Sequence, residues 1–187
     1  MSTPRSEGRG PIAALLEHWG FSASGWRDNR RGEWWLAAQG ILIAAVALLP
    51  ALPAPAAQGF SWPLMPRLGG GVLLAVCLAQ AALALRGLGN SLTPLPEPIP
   101  GAALVRQGPY ARCRHPIYRA VLGAALAVAL LRGSLLHLGL LVAMAAVLGG
   151  KARREERSLC QVHPDYATYR AETPAIVAGL PWLDWRA

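Results

Sequence analysis

Long stretches without a charged side chain set the strongest limit on how this chain can fold. Residues 34–52 form an uncharged run of 19 residues that opens on a tryptophan pair, and residues 68–85 form a second run of 18. A helix needs about 20 apolar residues to cross the hydrocarbon core of a membrane. Both runs are therefore predicted to be transmembrane helices, the first ended by Pro50, Pro53 and Pro55. The second begins with three glycines, which would let a neighbouring helix approach closely.

Two further apolar runs are predicted to form a helical hairpin. Twelve uncharged residues separate Arg119 from Arg132, and a start at Pro116 lengthens this helix to 16 residues, because proline favours the first helical turn. At 1.5 Å per residue the helix is about 24 Å long, which suits a locally thinned membrane. A break at residues 133–134 leads into the last uncharged run, which reaches Gly150.

The composition agrees with an integral membrane protein. Hydrophobic residues make up 53% of the 187 residues and charged residues 15%, whereas soluble domains carry about 25% charge. An ordinary soluble domain and a disordered chain are thereby excluded. The net charge is +8, and the basic residues lie mainly between the apolar runs. Because such residues bind anionic membrane surfaces, we expect membrane lipids, and no nucleic acid, as partners. Three cysteines are too few for a disulfide framework.

The distribution of lysine and arginine predicts which side of the membrane each segment faces. Sixteen of the 18 basic residues lie in the N-terminal arm, the segment between helices 2 and 3, and the C-terminal tail; the other two connections carry only Arg67 and Arg132. Because basic segments stay in the cytosol, we expect an all-α protein with four transmembrane helices and both termini cytosolic. No signal peptide is predicted. The Ala-, Leu-, Gly- and Arg-rich composition is typical of a GC-rich bacterial genome, which suggests a bacterial inner membrane.

This topology divides the chain into three parts. They are a cytosolic arm (residues 1–33), transmembrane helices 1 and 2 (residues 34–86), and a region with a cytosolic loop, helices 3 and 4 and the C-terminal tail (residues 87–187). In the arm, residues 11–26 have apolar side chains at helical spacing, which predicts a helix on the membrane surface; a disordered arm is the alternative. In the loop, residues 94–100 are rich in proline, which alone indicates a semi-rigid spacer.

Chemically active side chains are concentrated at the cytosolic ends of helices 3 and 4. His115 lies 18 residues before Gly133, and Lys151 lies 18 residues after it, so a hairpin centred at Gly133 would bring them to a similar depth. Lys151 and Glu155 are four residues apart and share a helix face. A histidine, a cation, a carboxylate and aromatic rings are thus expected to meet there. The complete set is Tyr110, Arg114, His115, Pro116, Tyr118, Lys151, Arg154, Glu155, Glu156, Tyr166 and Tyr169.

Several members of this set also have a purely structural interpretation. Arg114 and Lys151 could anchor helix ends at the interface, and His115 could cap helix 3. The pair of glutamates could be a solvated surface that neutralises nearby arginines. A further alternative is a zinc site, for which the ligand-type side chains would be Cys113, His115, Cys160 and His163.

The order of these motifs resembles the superfamily of isoprenylcysteine carboxyl methyltransferases and phospholipid methyltransferases. The resemblance covers residues 104–182 and rests on Arg-His-Pro-x-Tyr at residues 114–118, a glutamate pair at residues 155–156 after a helical hairpin, and Tyr-x-x-Tyr at residues 166–169. It implies a membrane methyltransferase of the isoprenylcysteine carboxyl methyltransferase type that uses S-adenosylmethionine. The substrate would be lipophilic or small, arrive from the bilayer, and present a carboxyl, amine or thiol acceptor.

The resemblance also implies individual roles. Cofactor binding on the cytosolic side would involve Ala102, Ala103, Leu104, Val105, Tyr110, His115, Pro116, Ile117, Tyr118 and Glu155. The resemblance places Lys151 against the substrate, and the chemistry of methyl transfer adds Arg154 and Glu156 as predicted catalytic residues. Lys151 or Arg154 would position a carboxylate acceptor, and Glu156 or a tyrosine would help to deprotonate an amine. Lys151 stands where the carboxyl methyltransferases have an arginine, and the two side chains do not bind a carboxylate equally. No metal ligand is assigned.

Two other functions compete with methyl transfer. Membrane sterol reductases have a similar C-terminal cofactor region but use NADPH, have more helices and need further basic residues for the 2′-phosphate. A non-catalytic membrane protein of the same fold is the second alternative, against which the joint presence of His115, Tyr118 and Glu155 argues. A transporter is disfavoured because ionisable side chains are scarce within the apolar runs.

Overall fold

The computed structural model describes residues 16, 19–52 and 61–185, and all regular secondary structure in them is helical. The α-helices are α1 (Ala23–Asp28), α2 (Glu33–Leu48), α3 (Leu64–Leu88), α4 (Pro116–Arg132), α5 (Leu135–Val162), α6 (Tyr166–Glu172) and α7 (Pro181–Asp184). One-turn 3-10 helices occur at Gly89–Ser91 and Gly108–Ala111. Of the surface helix predicted for residues 11–26, residues 11–15, 17 and 18 lie outside the described residues. Residue 16 is helical, residues 19–22 are not, and α1 begins at Ala23.

Helices α2 and α3 correspond to the first two predicted membrane helices. Helix α2 ends at Leu48, so it is shorter than the uncharged run at residues 34–52. Helix α3 has 25 residues and extends the predicted run at both ends. In the described part of the chain, the helical stretches Leu64–Ser91 and Leu135–Val162 are long and apolar enough to cross a membrane.

Helices α4 and α5 form the predicted hairpin. Helix α4 begins at Pro116, as expected, and is followed by Gly133 in the left-handed conformation with φ 59°, which glycine adopts without strain. Helix α5 continues past the end of the uncharged run at Gly150 without a break to Val162, which agrees with the shared helix face predicted for Lys151 and Glu155. Lys151 and Glu155 therefore project from the rigid extension of a membrane helix.

Small residues allow α3 and α4 to pack closely. A Cβ atom on Gly70 would lie 2.9 Å from the carbonyl oxygen of Ala127, whereas Gly69 and Gly71 have no neighbouring atom within 4 Å of that position. The close approach predicted from the three glycines thus depends on the middle one. Further along the same pair of helices, Gly123 leaves room for the Cys77 side chain.

The C-terminal tail completes the core at the charged end of the hairpin. One cluster of buried side chains joins α4, α5 and the tail, and it comprises Tyr118, Leu122, Met144, Leu148, Ala152, Ala175, Ile176 and Trp185. The backbone N–H groups of Arg114 and His115 donate to the carbonyls of Pro174 and Ala175. The segment that enters α4 is therefore fixed by the tail as well as by the hairpin.

The outer faces of α2 and α3 are apolar and exposed. Ile41 is 69% exposed, Val72 66% and Leu78 61%. Soluble proteins rarely expose large contiguous apolar surfaces, and the membrane is the environment in which such helices are stable. The exposed faces thus agree with the apolar composition.

Candidate active site

Two adjoining cavities lie at the charged end of α5. The first is enclosed by this end of α5, the start of α4 and the connection from α3 to α4. Seven of the predicted cofactor-binding residues line it, namely Ala102, Ala103, Leu104, Val105, Tyr110, His115 and Glu155. Further aromatic and polar walls come from Tyr166, Tyr169 and His163. The structure thus brings residues 102–105 and the start of α4 together, although they are separated in sequence.

A second cavity of about 290 Å³ adjoins the first and contains the other three predicted cofactor residues, Pro116, Ile117 and Tyr118. Lys151 lines it, and its apolar walls include Leu36 of α2 and Leu85 of α3. Small-molecule sites are typically apolar cavities with a few polar groups of this kind. Both cavities are lined by Leu88, Thr93, Tyr110, Arg114, His115 and Glu155.

Glu155 is held at the boundary between the cavities. The Tyr118 hydroxyl donates to Glu155 Oε2 across 2.8 Å, and His115 Nδ1 lies 3.8 Å from the same oxygen. The rings of His115 and Tyr118 stack with centroids 5.1 Å apart and an interplanar angle of 4°. The Glu155 side chain is 31% exposed, so the carboxylate is oriented by its neighbours and still accessible to a ligand.

Glu156 points in a different direction, into a buried ion-pair network. Its Oε1 accepts from Arg114 Nε at 2.8 Å and lies 2.9 Å from His115 Nε2, while its Oε2 lies 3.2 Å from Arg170 Nε. The carboxylate is 3% exposed, so the interpretation of this residue as part of a solvated surface is wrong. Glu156 lines neither of the two cavities.

Arg114 connects this network to the C-terminal tail. Its guanidinium is fully buried and donates to the carbonyl oxygens of Arg170, Thr173 and Asp184, in addition to Glu156. Five N–H donors in a planar fork suit this kind of multiple contact. The interpretation of Arg114 as a membrane-interface anchor is therefore wrong, because the side chain holds the tail against α5.

Lys151 is buried, and its hydrogen-bond partner is a neutral amide. Its Nζ donates to Gln39 Oε1 at 2.8 Å and lies 5.4 Å from the centroid of the Tyr118 ring. The residue is 3% exposed, which also excludes a simple interface anchor. An ammonium group has three N–H donors, so donors remain for a ligand in the second cavity.

Arg154 lies outside both cavities. Its Nη2 is 3.4 Å from Glu97 Oε1 and donates to the backbone carbonyls of Asn29 and Arg30. Of the three predicted catalytic residues, the structure thus places Lys151 in the second cavity, and Arg154 and Glu156 in ion pairs outside it.

Sequence reasoning missed several residues that line the site. Gln39 could have been found, because it is the only amide or charged side chain within residues 34–52. Leu95 and Pro98 belong to the proline-rich segment and line the first cavity. Leu95 is 2% exposed, so the interpretation of this segment as a plain spacer is wrong.

The tyrosines of the first cavity are hydrogen-bond donors. Burial and the nearby Glu155 raise the pKa of Tyr110 well above its usual value, and burial raises the pKa of Tyr169 to about 12. Tyr169 Oη donates to the carbonyl of Tyr110 at 2.6 Å, and Tyr110 Oη donates to that of Ala84 at 3.4 Å. Both phenols stay protonated at neutral pH, which argues against a tyrosine as the general base.

The zinc alternative has no gathered ligand set in the part of the chain that the structure describes. No group of three or more His, Cys, Asp or Glu side chains there is arranged to hold a metal ion. Cys113 Sγ donates to the carbonyl of Ala175 at 3.0 Å, and Cys160 is exposed.

The fold and the site define a helical membrane protein with two adjoining cavities at the charged end of a helical hairpin. The chain belongs to the phospholipid methyltransferase family, whose model matches residues 66–164. The matched range covers α3 from its third residue onward and all of α4 and α5, and it contains the residues shared by the two cavities. The superfamily resemblance of the motifs is confirmed.

The chain is also similar to the cobalt-zinc-cadmium resistance protein CzcN of Cupriavidus metallidurans. The two are 37% identical over 73 residues, which is 38% of this chain and 34% of that protein. The chain thus spans about a third of the length of the curated relative that it matches. No solved structure matches the chain.

Proposed function

We propose that this protein is a membrane-embedded methyltransferase that uses S-adenosylmethionine to methylate a lipophilic or small substrate at the cytosolic membrane face. The observation that carries the proposal is the pair of adjoining cavities that share Tyr110, His115 and Glu155. One cavity contains most of the residues expected to bind the cofactor. The other is apolar and contains a buried cation.

The first cavity fits the chemistry of S-adenosylmethionine. Tyr110, Tyr166 and Tyr169 line it, and aromatic faces attract cations and stack on ring systems. Glu155 would accept hydrogen bonds from the ribose hydroxyls or the ammonium group, in which an ionised acceptor gives the stronger bonds. When bound, the cofactor supplies an electrophilic methyl group on a positively charged sulfur.

The boundary between the cavities is the place for methyl transfer. The acceptor atom must lie about 3 Å from the methyl carbon and in line with the sulfur. Tyr110, His115 and Glu155 would orient the two ligands there because they line both cavities. The apolar walls of the second cavity would keep water away from the reacting atoms.

Lys151 favours a carboxylate or thiolate acceptor over an amine. A buried ammonium group attracts an anion and repels a second cation. A carboxylate is already ionised and needs only to be positioned. An amine would have to lose a proton, and Glu156, the base suggested by the sequence, is engaged by Arg114 and Arg170.

The proposed topology has α2 to α5 crossing a bacterial inner membrane, with both termini and residues 87–115 in the cytosol. The division of 16 basic residues against two supports this orientation. The water-soluble cofactor would enter from the cytosol and the substrate laterally from the bilayer, where the apolar second cavity would accept its tail.

A thermal-shift comparison tests the proposed function. Detergent-purified protein is heated with S-adenosylhomocysteine, NADPH or zinc at about a hundredfold excess over the dissociation constant, where a ligand of the folded state adds about 2.7 kcal/mol of stability. We expect S-adenosylhomocysteine to raise the unfolding temperature and NADPH to leave it unchanged. Stabilisation by NADPH alone would support the reductase alternative, and stabilisation by neither S-adenosylhomocysteine nor NADPH would support a non-catalytic protein.

A further inference from the structure

Residues 92–98 form a strap that covers one side of both cavities. Thr93, Leu95 and Pro98 line the first cavity, and Leu92, Thr93 and Pro94 line the second. Prolines at every second position favour an extended, semi-rigid backbone. A ligand in either cavity would therefore be in contact with the strap, and its exchange would depend on the strap's position.

Within the described residues, the ion pairs of the strap are formed by one carboxylate, that of Glu97. Arg31 Nε donates to Glu97 Oε2 at 3.3 Å, and Arg154 Nη2 lies 3.4 Å from Glu97 Oε1. Each oxygen of Glu97 thus meets one arginine, the first from the segment before α2 and the second from α5. Arg31 also donates to the carbonyl of Pro98, and Arg154 to that of Arg30.

The contact is close at Gly32 as well. Gly32 has φ +84°, and a Cβ atom there would lie 2.3 Å from Cγ of Pro96. Pro96 is fully buried. Glycine is therefore required here for two reasons. It adopts the left-handed backbone conformation without strain, and it leaves room for the ring of Pro96. The strap packs tightly on the segment that carries Arg31.

The side chains that form these ion pairs are only partly buried. The exposed fractions are 23% for Arg31, 32% for Glu97 and 28% for Arg154. Such pairs are weak enough to open and close reversibly and are weakened by salt. In contrast, the Arg114–Glu156 pair next to the site is fully buried and suits a permanent connection.

From these contacts we infer that Glu97 is a positioning residue whose two ion pairs hold the strap over both cavities and retain the bound ligands. The identity of the retained ligand rests on the proposed function, whereas the mobility of the strap does not. Arg154 acts in this arrangement through Glu97 and not on the substrate. Opening the pairs would loosen the strap around Glu97 and permit ligand exchange.

The experiment measures strap mobility and ligand retention separately. Hydrogen exchange at the backbone amides of positions 95 and 97 is followed in ligand-free protein, wild type and Glu97→Gln. Dissociation of S-adenosylhomocysteine is followed on the same samples at low and high salt. We expect Glu97→Gln to raise both rates by about three- to tenfold, the effect of losing two partly exposed ion pairs. We also expect salt to accelerate dissociation from the wild type and to have little effect on the variant.

Two matched control variants each remove a charged side chain of the same type from an exposed position away from the strap. Glu172 and Arg153 are exposed, so Glu172→Gln and Arg153→Gln should leave both rates unchanged. Arg154→Gln should raise both rates, and by a smaller factor in the Glu97→Gln background, since residues that act through one partner are not additive. If Glu97→Gln and Arg154→Gln both exchange and dissociate like the wild type, the inference is overturned. If hydrogen exchange is faster in Glu97→Gln than in the wild type but the wild type binds no S-adenosylhomocysteine, the role of Glu97 in holding the strap is supported and the proposed function fails.

Discussion

Lys151 Nζ donates a hydrogen bond to Gln39 Oε1 over 2.8 Å, and this contact joins α5 to α2 across 112 positions in the sequence. Both side chains line the second cavity. Burying a charged group costs free energy, and apolar side chains of similar volume often stabilise a protein as well or better. A cation in this place therefore indicates ligand binding more than stability.

Replacing the cation should separate catalysis from cofactor binding. We expect Lys151→Met to lower methyl transfer by about 10- to 100-fold, the loss of one hydrogen bond to a charged group, because the acceptor would no longer be held. The affinity for S-adenosylhomocysteine should stay within about twofold. Transfer of a radiolabelled methyl group into a membrane lipid extract and calorimetric titration measure the two effects. Arg153→Met removes an exposed cation nearby and is the control; loss of cofactor binding in Lys151→Met would show that the cavities are assigned the wrong way round.

The packing of α3 on α4 gives a prediction about stability. A methyl group on Gly70 would press on the Ala127 carbonyl and on Leu131, whereas one on Gly71 would meet no atom within 4 Å. We expect Gly70→Ala to destabilise the protein by about 1–3 kcal/mol, as overpacking does, and to lower its unfolding temperature in detergent. Gly71→Ala should be neutral or slightly stabilising, because alanine favours a helix. Equal unfolding temperatures for the two variants would contradict the observed packing.

The proposed topology can be tested on intact cells. Ser61 and Gln107 are both exposed and lie on opposite sides of α3 in the sequence. In a variant without the three native cysteines, we expect an impermeant thiol reagent to label Ser61→Cys directly. Gln107→Cys should react only after the cells are permeabilised. Labelling of Gln107→Cys in sealed cells would refute a cytosolic loop between α3 and α4.

Much of the helical architecture is predictable because it depends on local features. The uncharged runs, Pro116 at a helix start and Gly133 at the turn specify the hairpin before any tertiary contact is known. The four-residue spacing places Lys151 and Glu155 on one helix face, and both do line the second cavity. These features require only helix geometry.

The roles of neighbouring residues could not be read from the sequence. Consecutive residues on a helix point about 100° apart, so Glu155 and Glu156 point in different directions, and helix geometry alone does not say which one faces the cavities. The difference between the two glutamates is due to Arg114, which pairs with Glu156 and is held by the tail through Thr173. Arg154 likewise has a partner, Glu97, that lies 57 positions away. Such contacts depend on the folded tail and strap.

Calorimetric titration of Glu155→Gln with S-adenosylhomocysteine tests the central claim most directly. Glu155 lines both cavities and is accessible to a ligand, so loss of its charge should weaken binding by about 10- to 100-fold, or 1.5–3 kcal/mol. Glu172→Gln, which removes an exposed carboxylate on α6, should bind like the wild type. If Glu155→Gln binds S-adenosylhomocysteine as tightly as the wild type does, the first cavity is not the cofactor site and the account is contradicted.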